Sequence, residues 1–127
     1  MKALILAAGL GTRLGEETRH KPKALVEVAG KPLLQHAIEK MKREGISAVT
    51  VNVHHFSRLV MEFLDRHDFG IPVTVSDETD QLLDTGGALK KAAPLLAGDE
   101  PVLIYNVDVL SNLKITDLLS EHIRSKA

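Results

Sequence analysis

Short apolar runs alternate along the chain with segments whose apolar positions recur at helical spacing. The runs are typical of buried strands and predict strands at residues 3–7, 48–53, 71–75 and 102–105. The helical spacing predicts helices at residues 32–44, 56–64, 88–96 and 117–124. Gly45 and Gly70 are predicted to end the first two helices, Pro94 to limit the third and Thr116 to cap the fourth.

This alternation predicts an α/β fold, a Rossmann-like three-layer sandwich in which helices cover both faces of a mainly parallel sheet. Residues 1–127 are expected to form a single domain. Because crossovers between parallel strands are right-handed, the predicted strand order is 3-2-1-4. The fourth strand then lies at an edge, with no later strand to cover it. We therefore expect the first half of a larger fold, and an edge that favours self-association.

Composition narrows the class of protein. Apolar residues make up 44% of the chain and aromatic residues only 3%, so the core is predicted to be aliphatic. With Lys+Arg 16 against Asp+Glu 17, the net charge of −1 argues against a nucleic-acid partner. The absence of cysteine excludes disulfides and thiolate metal sites. No apolar run is long enough for a membrane span or a signal peptide, so we expect a cytoplasmic protein without a membrane partner.

A glycine-rich loop follows the first predicted strand. Gly9 and Gly11 allow the backbone to approach an anion closely, although a tight strand-to-helix turn would need the same glycines. Arg13 follows at once and can bind phosphate oxygens with its two-pronged guanidinium group. Lys21 and Lys23 flank a proline a few residues later. Together these groups favour a polyanionic ligand.

Polar residues also follow other predicted strands. Asp108 comes just after the fourth strand, where a carboxylate can hold a hard divalent cation or simply cap a turn. Asn52 closes the second strand and either places its amide near a ligand or is an ordinary polar strand end. His54 and His55 follow, but adjacent strand residues point to opposite faces and form a poor chelating pair.

Three ordered motifs carry a family resemblance. They are Leu-Ala-Ala-Gly-Leu-Gly-Thr-Arg-Leu at 6–14, Pro-Lys-Ala-Leu-Val at 22–26 and Val-Ala-Gly-Lys-Pro-Leu at 28–33. The chain resembles the sugar-1-phosphate nucleotidyltransferases over essentially its whole length. It is similar to the branch that includes mannose-1-phosphate guanylyltransferases and N-acetylmuramate-1-phosphate uridylyltransferases.

The resemblance implies a GT-A-type nucleotide-diphospho-sugar transferase fold and a Mg²⁺-dependent reaction between a nucleoside triphosphate (NTP) and a sugar 1-phosphate. Arg13 and Lys23 are the implied catalytic residues, and Asp108 is the implied metal ligand. The implied nucleotide-binding residues are Ala7, Ala8, Gly9, Gly11, Thr12, Asn52, Gly86 and Gly87. In the family, the glycines at 86 and 87 admit the base close to the backbone.

The sequence departs from the family at two places, and two other functions remain open. Glu16 and Glu17 stand where relatives often carry proline and leucine, and Val107 stands where relatives usually have glycine. A non-catalytic nucleotide or nucleotide-sugar binding module is the main alternative. A nicotinamide-dependent oxidoreductase is weaker, because the third glycine of its fingerprint is out of place. The base and the sugar remain undetermined.

Overall fold

The structure is a computed structural model that describes residues 1–8, 21–54, 56–79, 83, 85–108 and 114–125. The strands are β1 (Lys2–Leu6), β2 (Glu27–Val28), β3 (Lys31–Pro32), β4 (Ala48–Val53), β5 (Val73–Asp77) and β6 (Val102–Asn106). The helices are α1 (Leu33–Arg43), α2 (Ser57–Arg66), α3 (Thr85–Leu96) and α4 (Ile115–Ser125). A short 3-10 helix covers Lys23–Leu25.

Four of the strands form one parallel sheet in the order β5-β4-β1-β6. In the numbering of the predicted strands this is 3-2-1-4, so the predicted order is confirmed. Leu6 at the end of β1 is level with Asn52 of β4 and with Asn106 of β6. The carboxyl ends of the three strands therefore meet at one edge of the sheet, where ligands bind in open α/β folds.

Helices cover both faces of the sheet. Successive side chains of β1 point to opposite faces, and those of Ala3, Leu4 and Ile5 are all buried. Ala3 and Ile5 pack into a core with α1, α2 and α4, whereas Leu4 packs on the other face against Ala92 and Leu96 of α3. The core is aliphatic, as expected. A fully buried side chain such as that of Ile5 contributes about 1.5–3 kcal/mol to the free energy of unfolding.

The chain between the 3-10 helix and α1 forms a small hairpin that was not predicted. β2 and β3 pair antiparallel around Ala29 and Gly30, whose φ angles are 53° and 81°. Two consecutive positive φ angles define the tight turn that suits a two-residue hairpin. Among the described helices, none is both long enough and apolar enough to cross a membrane.

Several predicted boundaries were wrong. β1 lies one residue earlier than predicted, and α2 ends at Arg66 because His67 is already extended, so Gly70 does not end this helix. Three larger errors concern β5, α3 and α4. β5 begins and ends two residues later than predicted, because its partner β4 pairs Asn52 with Ser76 and Val53 with Asp77. α3 begins at Thr85 instead of residue 88, and it continues through Pro94 to Leu96.

The third error concerns α4, which already includes Thr116, so this threonine does not precede the helix as a cap. The amide of Ile115 instead donates to Glu44 Oε1 at 2.5 Å. Glu44 is the C-cap residue of α1, so this cap comes from a distant part of the chain.

Candidate active site

The carboxyl edge of the sheet collects residues from several segments. Ala7 and Ala8 follow β1 and are almost fully buried, and Val107 and Asp108 follow β6. The amide of Val107 donates to Leu6 O at 3.2 Å, which continues the pairing of the two strands by one step. This bond fixes Asp108 immediately beside the end of β1.

Lys23 is held at the same edge by its own short helix. Pro22 is extended, with φ −69° and ψ 157°, and its carbonyl accepts the amide of Leu25 at 3.0 Å. Ala24 is fully buried and anchors this turn in the core. The turn therefore presents Lys23 toward the end of β6.

Lys23 and Asp108 form an ion pair across the edge. Lys23 Nζ lies 3.6 Å from Asp108 Oδ2, and the two side chains are 19% and 45% exposed. The carboxylate of Asp108 is therefore partly open to solvent. Two residues far apart in the sequence, predicted to act on one ligand, thus lie together in space.

Asn52 belongs to a buried network behind this edge. Its Oδ1 accepts the amides of Ala7 at 2.6 Å and Ala8 at 3.1 Å. Its Nδ2 donates to Glu78 Oε2 at 3.0 Å. The amide oxygen of Asn52 is thus engaged by the backbone that leads into the glycine loop.

The segment before α3 is tied to the same network. The amide of Leu83 donates to Glu78 Oε1 at 3.0 Å. Gly86 and Gly87 lie in the first turn of α3, where Gly86 is exposed and Gly87 is partly buried. The predicted base contacts therefore lie on a helix whose entry is anchored by a buried carboxylate.

Asp77, at the end of β5, stabilises the turn that follows it. Hydrogen bonds from the hydroxyl and then the amide of Thr79 lower the pKa of the Asp77 carboxyl below its ordinary value. Lys91 of α3 donates to the carbonyl oxygen of Asp77. These contacts connect β5, its turn and α3.

The structure thus brings several predicted site residues to one edge: Ala7, Ala8, Lys23, Asn52 and Asp108. Gly9, Gly11, Thr12 and Arg13 lie outside the described residues, as do Glu16 and Glu17. Among the described residues, no group of three histidine or carboxylate side chains could hold a metal ion by itself.

Sequence reasoning missed Glu78. This side chain is fully buried, and the other buried polar residues of the described chain are Thr50, Asn52 and Ser76, on β4 and β5. The sequence signal that could have found Glu78 is the run Val-Thr-Val-Ser-Asp-Glu at 73–78. Because strands were predicted from apolar residues alone, the predicted strand ended at residue 75 and left out the polar end of this run.

The fold and this edge define a class of protein: an open α/β domain with a lysine–carboxylate pair beside the carboxyl ends of β1 and β6. Residues 2–127 match the sequence model of the family described as nucleotidyl transferase. The chain belongs to the nucleotidyl transferase family, which confirms the resemblance that the motifs indicated.

Characterised relatives agree with the predicted branch. The chain is 45% identical over 109 residues to an N-acetylmuramate alpha-1-phosphate uridylyltransferase of Caulobacter vibrioides, covering 84% of this chain and 45% of that protein. It is 40% identical over 125 residues to a mannose-1-phosphate guanyltransferase of Gibberella zeae, covering 96% of this chain and 34% of that protein. The chain therefore spans between about a third and a half of these relatives.

A solved structure has the same fold. The crystal structure of HddC from Yersinia pseudotuberculosis matches with a TM-score of 0.85 and 25% identity, over 96% of this chain and 54% of that one. The predicted GT-A-type, mainly parallel architecture is confirmed.

Proposed function

We propose that this chain is the nucleotide-binding and catalytic part of an enzyme that joins an NTP to a sugar 1-phosphate. The products are a nucleoside diphosphate sugar (NDP-sugar) and pyrophosphate. The observation that carries the proposal is the Lys23–Asp108 pair at the carboxyl edge of a nucleotidyl transferase fold. The names of the relatives supply the substrate class.

The chemistry needs charge neutralisation more than it needs a base. A phosphate oxygen of the sugar 1-phosphate attacks the α-phosphorus of the NTP, and the bond to the β,γ-pyrophosphate breaks. The attacking oxygen is already anionic at neutral pH, so no proton has to be removed. The obstacle is the approach of two polyanions, which positioning and positive charge relieve.

Different residues of the proposed site act on different parts of the substrates. The backbone of Ala7 and Ala8 leads into the loop in which Gly9, Gly11 and Thr12 would bind the phosphates. Arg13 would stabilise the leaving pyrophosphate, and Lys23 would lie between the α-phosphate and the sugar phosphate. Gly86 and Gly87 would admit the base at the first turn of α3.

The residues at the edge suit Mg²⁺. This ion is commonly held by one or two carboxylates together with substrate phosphates, and Asp108 offers one partly exposed carboxylate. When bound, the ion would supply positive charge that neutralises the phosphates. Asp108 would hold the ion, and Lys23 lies within 3.6 Å of the same carboxylate.

The relatives point to two substrate pairs, GTP with mannose 1-phosphate and UTP with an amino-sugar 1-phosphate. A cytoplasmic location, where NTPs are abundant, forms part of the proposal. A non-catalytic nucleotide-binding module is less favoured, because pure binding has less need of a lysine and a metal-binding carboxylate at the same phosphate.

Pyrophosphate release tests the proposal directly. The chain is incubated with Mg²⁺, each of the four NTPs and each of several sugar 1-phosphates, and NTP binding is measured separately by calorimetry. We expect binding of at least one NTP, and pyrophosphate release that requires a sugar 1-phosphate. Binding without release under all combinations would favour the binding module, and absence of binding would contradict both.

A further inference from the structure

Glu78 is a buried carboxylate to which the proposed chemistry gives no role. It directly follows β5 and has no exposed surface. Burial of a carboxylate is costly unless hydrogen bonds replace its lost water. Its partners therefore indicate why the fold keeps a glutamate at this position.

One oxygen of Glu78 acts on the beginning of the glycine loop. The amides of Ala7 and Ala8 both donate to Asn52 Oδ1, which fixes the orientation of the Asn52 side chain. Asn52 Nδ2 must then point away from β1, and it donates to Glu78 Oε2. Glu78 thereby holds Asn52 in the orientation that binds the two amides.

The other oxygen acts on the entry of α3. Glu78 Oε1 accepts the amide of Leu83, two residues before Thr85 begins the helix. The backbone of Glu78 is itself fixed, because its amide donates to Val53 O at 2.8 Å and its carbonyl accepts from His54 Nδ1 at 2.6 Å. The carboxylate is thus a rigid link between two segments that flank the site.

We propose that Glu78 is a positioning residue that sets the distance between the phosphate-binding loop and the base-binding turn of α3. It touches neither part of the nucleotide; it acts through Asn52 on one side and through Leu83 on the other. This inference rests on the proposed function, since it assumes that one nucleotide spans both segments. It also gives Asn52 an indirect role in nucleotide binding.

The hydrogen-bond pattern makes the substitution Glu78→Gln a sharp test. Two donors, Asn52 Nδ2 and the Leu83 amide, converge on the carboxylate, and only an acceptor at both positions satisfies them. A glutamine has one acceptor and one donor, so one of the two links is lost in either orientation. We expect the Kd for the NTP to rise about tenfold or more.

A second ligand distinguishes a positioning role of Glu78 from general damage to the fold in Glu78→Gln. Inorganic tripolyphosphate contacts the phosphate loop but has no base, so it does not span the two segments. Its Kd is expected to change less than about threefold in Glu78→Gln, because Asn52 Oδ1 still accepts from Ala7 and Ala8. Glu39→Gln is the matched control, since Glu39 pairs with Lys31 at the surface.

The double variant Asn52→Asp with Glu78→Gln should restore the network. One oxygen of the new aspartate accepts from Ala7 and Ala8, and the other accepts from the glutamine amide. The glutamine oxygen then accepts from Leu83, so every donor is again paired and the net charge is unchanged. We expect recovered amide-exchange protection at Ala7, Ala8 and Leu83, and tighter NTP binding than in Glu78→Gln alone.

The outcomes distinguish the two proposals. If the wild-type chain binds no NTP, the proposed function fails and this inference fails with it. If the wild type binds and Glu78→Gln binds equally well, only this inference is overturned. If Glu78→Gln does not fold, the double variant decides: a folded double variant that does not bind NTP also overturns the inference.

Discussion

At the scale of single residues, the ion pair of Lys23 with Asp108 gives the clearest prediction. Lys23→Ala should reduce turnover by about 10²–10³-fold, because it removes the positive charge that we propose acts on the reacting phosphates. The free energy of unfolding should change by less than about 1 kcal/mol, since the partner carboxylate remains partly exposed to water. Pyrophosphate release and thermal unfolding, measured on the same preparations, check both statements.

Lys31→Ala is the matched control for that substitution. Lys31 of β3 also pairs with a carboxylate, that of Glu39 on α1, at 2.9 Å. This ion pair lies outside the proposed site. Its removal should leave turnover unchanged. Nearly normal turnover in Lys23→Ala would contradict the role of Lys23 and transfer it to Lys21.

Sequence reasoning at this scale identified candidate residues from local motifs and could not identify contacts that depend on strand pairing. Lys23 could be named as a candidate because it lies within the motif at 22–26, and Asp108 because it follows a predicted strand and the family resemblance implies a metal ligand there. The partners of Asn52 could not, because they depend on which strands are neighbours and on their register. The polar end of β5 becomes a buried network only when β4 lies beside it.

At the scale of elements, the first turn of α3 combines a proposed function, binding of the base, with a low helical stability. Gly86 is exposed within a helix, and glycine makes a helix less stable than alanine does by up to about 1 kcal/mol. Gly86→Ala should therefore raise the melting temperature. It should also weaken NTP binding, because the added methyl group occupies the space through which the base would approach. Thermal unfolding and calorimetric titration measure the two effects.

A substitution on the exposed side of the same helix provides the comparison. Ala93 is exposed and lies well beyond the first turn of α3, so Ala93→Gly should lower the melting temperature without changing the Kd for the NTP. If Gly86→Ala binds the nucleotide as tightly as wild type, the base is not bound at this turn.

The start of α4 shows why a helix cap could not be identified from its own segment. Thr116 was the expected cap by local sequence, yet Glu44 accepts the Ile115 amide from the end of α1. Glu44→Ala should cost about 0.5–2 kcal/mol of unfolding free energy, as the loss of other N-terminal caps does. Denaturant titration measures it, with Glu121→Ala, in an exposed pair with Arg124, as the control.

The same contact predicts a dependence on pH. Burial raises the pKa of Glu44, but hydrogen bonds from Lys40 and from the Ile115 amide outweigh it, so the pKa is lowered overall. A lowered pKa in the folded state stabilises the protein above the unfolded value of about 4.3, and this contribution is lost as the pH falls through the folded value. The stability difference between wild type and Glu44→Ala should therefore be full at neutral pH and shrink in acid. A constant difference would contradict the assignment.

At the scale of the whole molecule, the topology was accessible from the sequence because few arrangements satisfy its constraints. Apolar runs alternating with helical segments favour a parallel sheet, and the rules that successive strands lie adjacent and that crossovers are right-handed leave few strand orders, one of which the structure shows. The boundaries of β5 and α3 were less accessible, because partner strands and buried polar contacts set them. Hydrophobic periodicity carries no information about either.

The free edge at β6 leads to the last prediction, which concerns association of whole molecules. Among the described strands none pairs with the outer side of β6, and an apolar groove lined by Met1, Val102, Leu103, Ile115 and Leu118 lies beside it. We expect the chain to self-associate through this edge as its concentration rises. Sedimentation velocity over a wide concentration range should show this.

Two leucine substitutions of similar exposure locate the contact. Leu118 is 43% exposed on α4 beside β6, whereas Leu59 is 37% exposed on α2, which packs near β4 and β5 toward the opposite edge of the sheet. Leu118→Lys should suppress association by placing a charge in the apolar groove, and Leu59→Lys should not. Equal suppression by both variants would place the contact elsewhere. If the wild type stays a monodisperse monomer at high concentration, the predicted self-association through β6 is wrong. An unpaired edge that attracts no second strand must already be protected by features of its own surface.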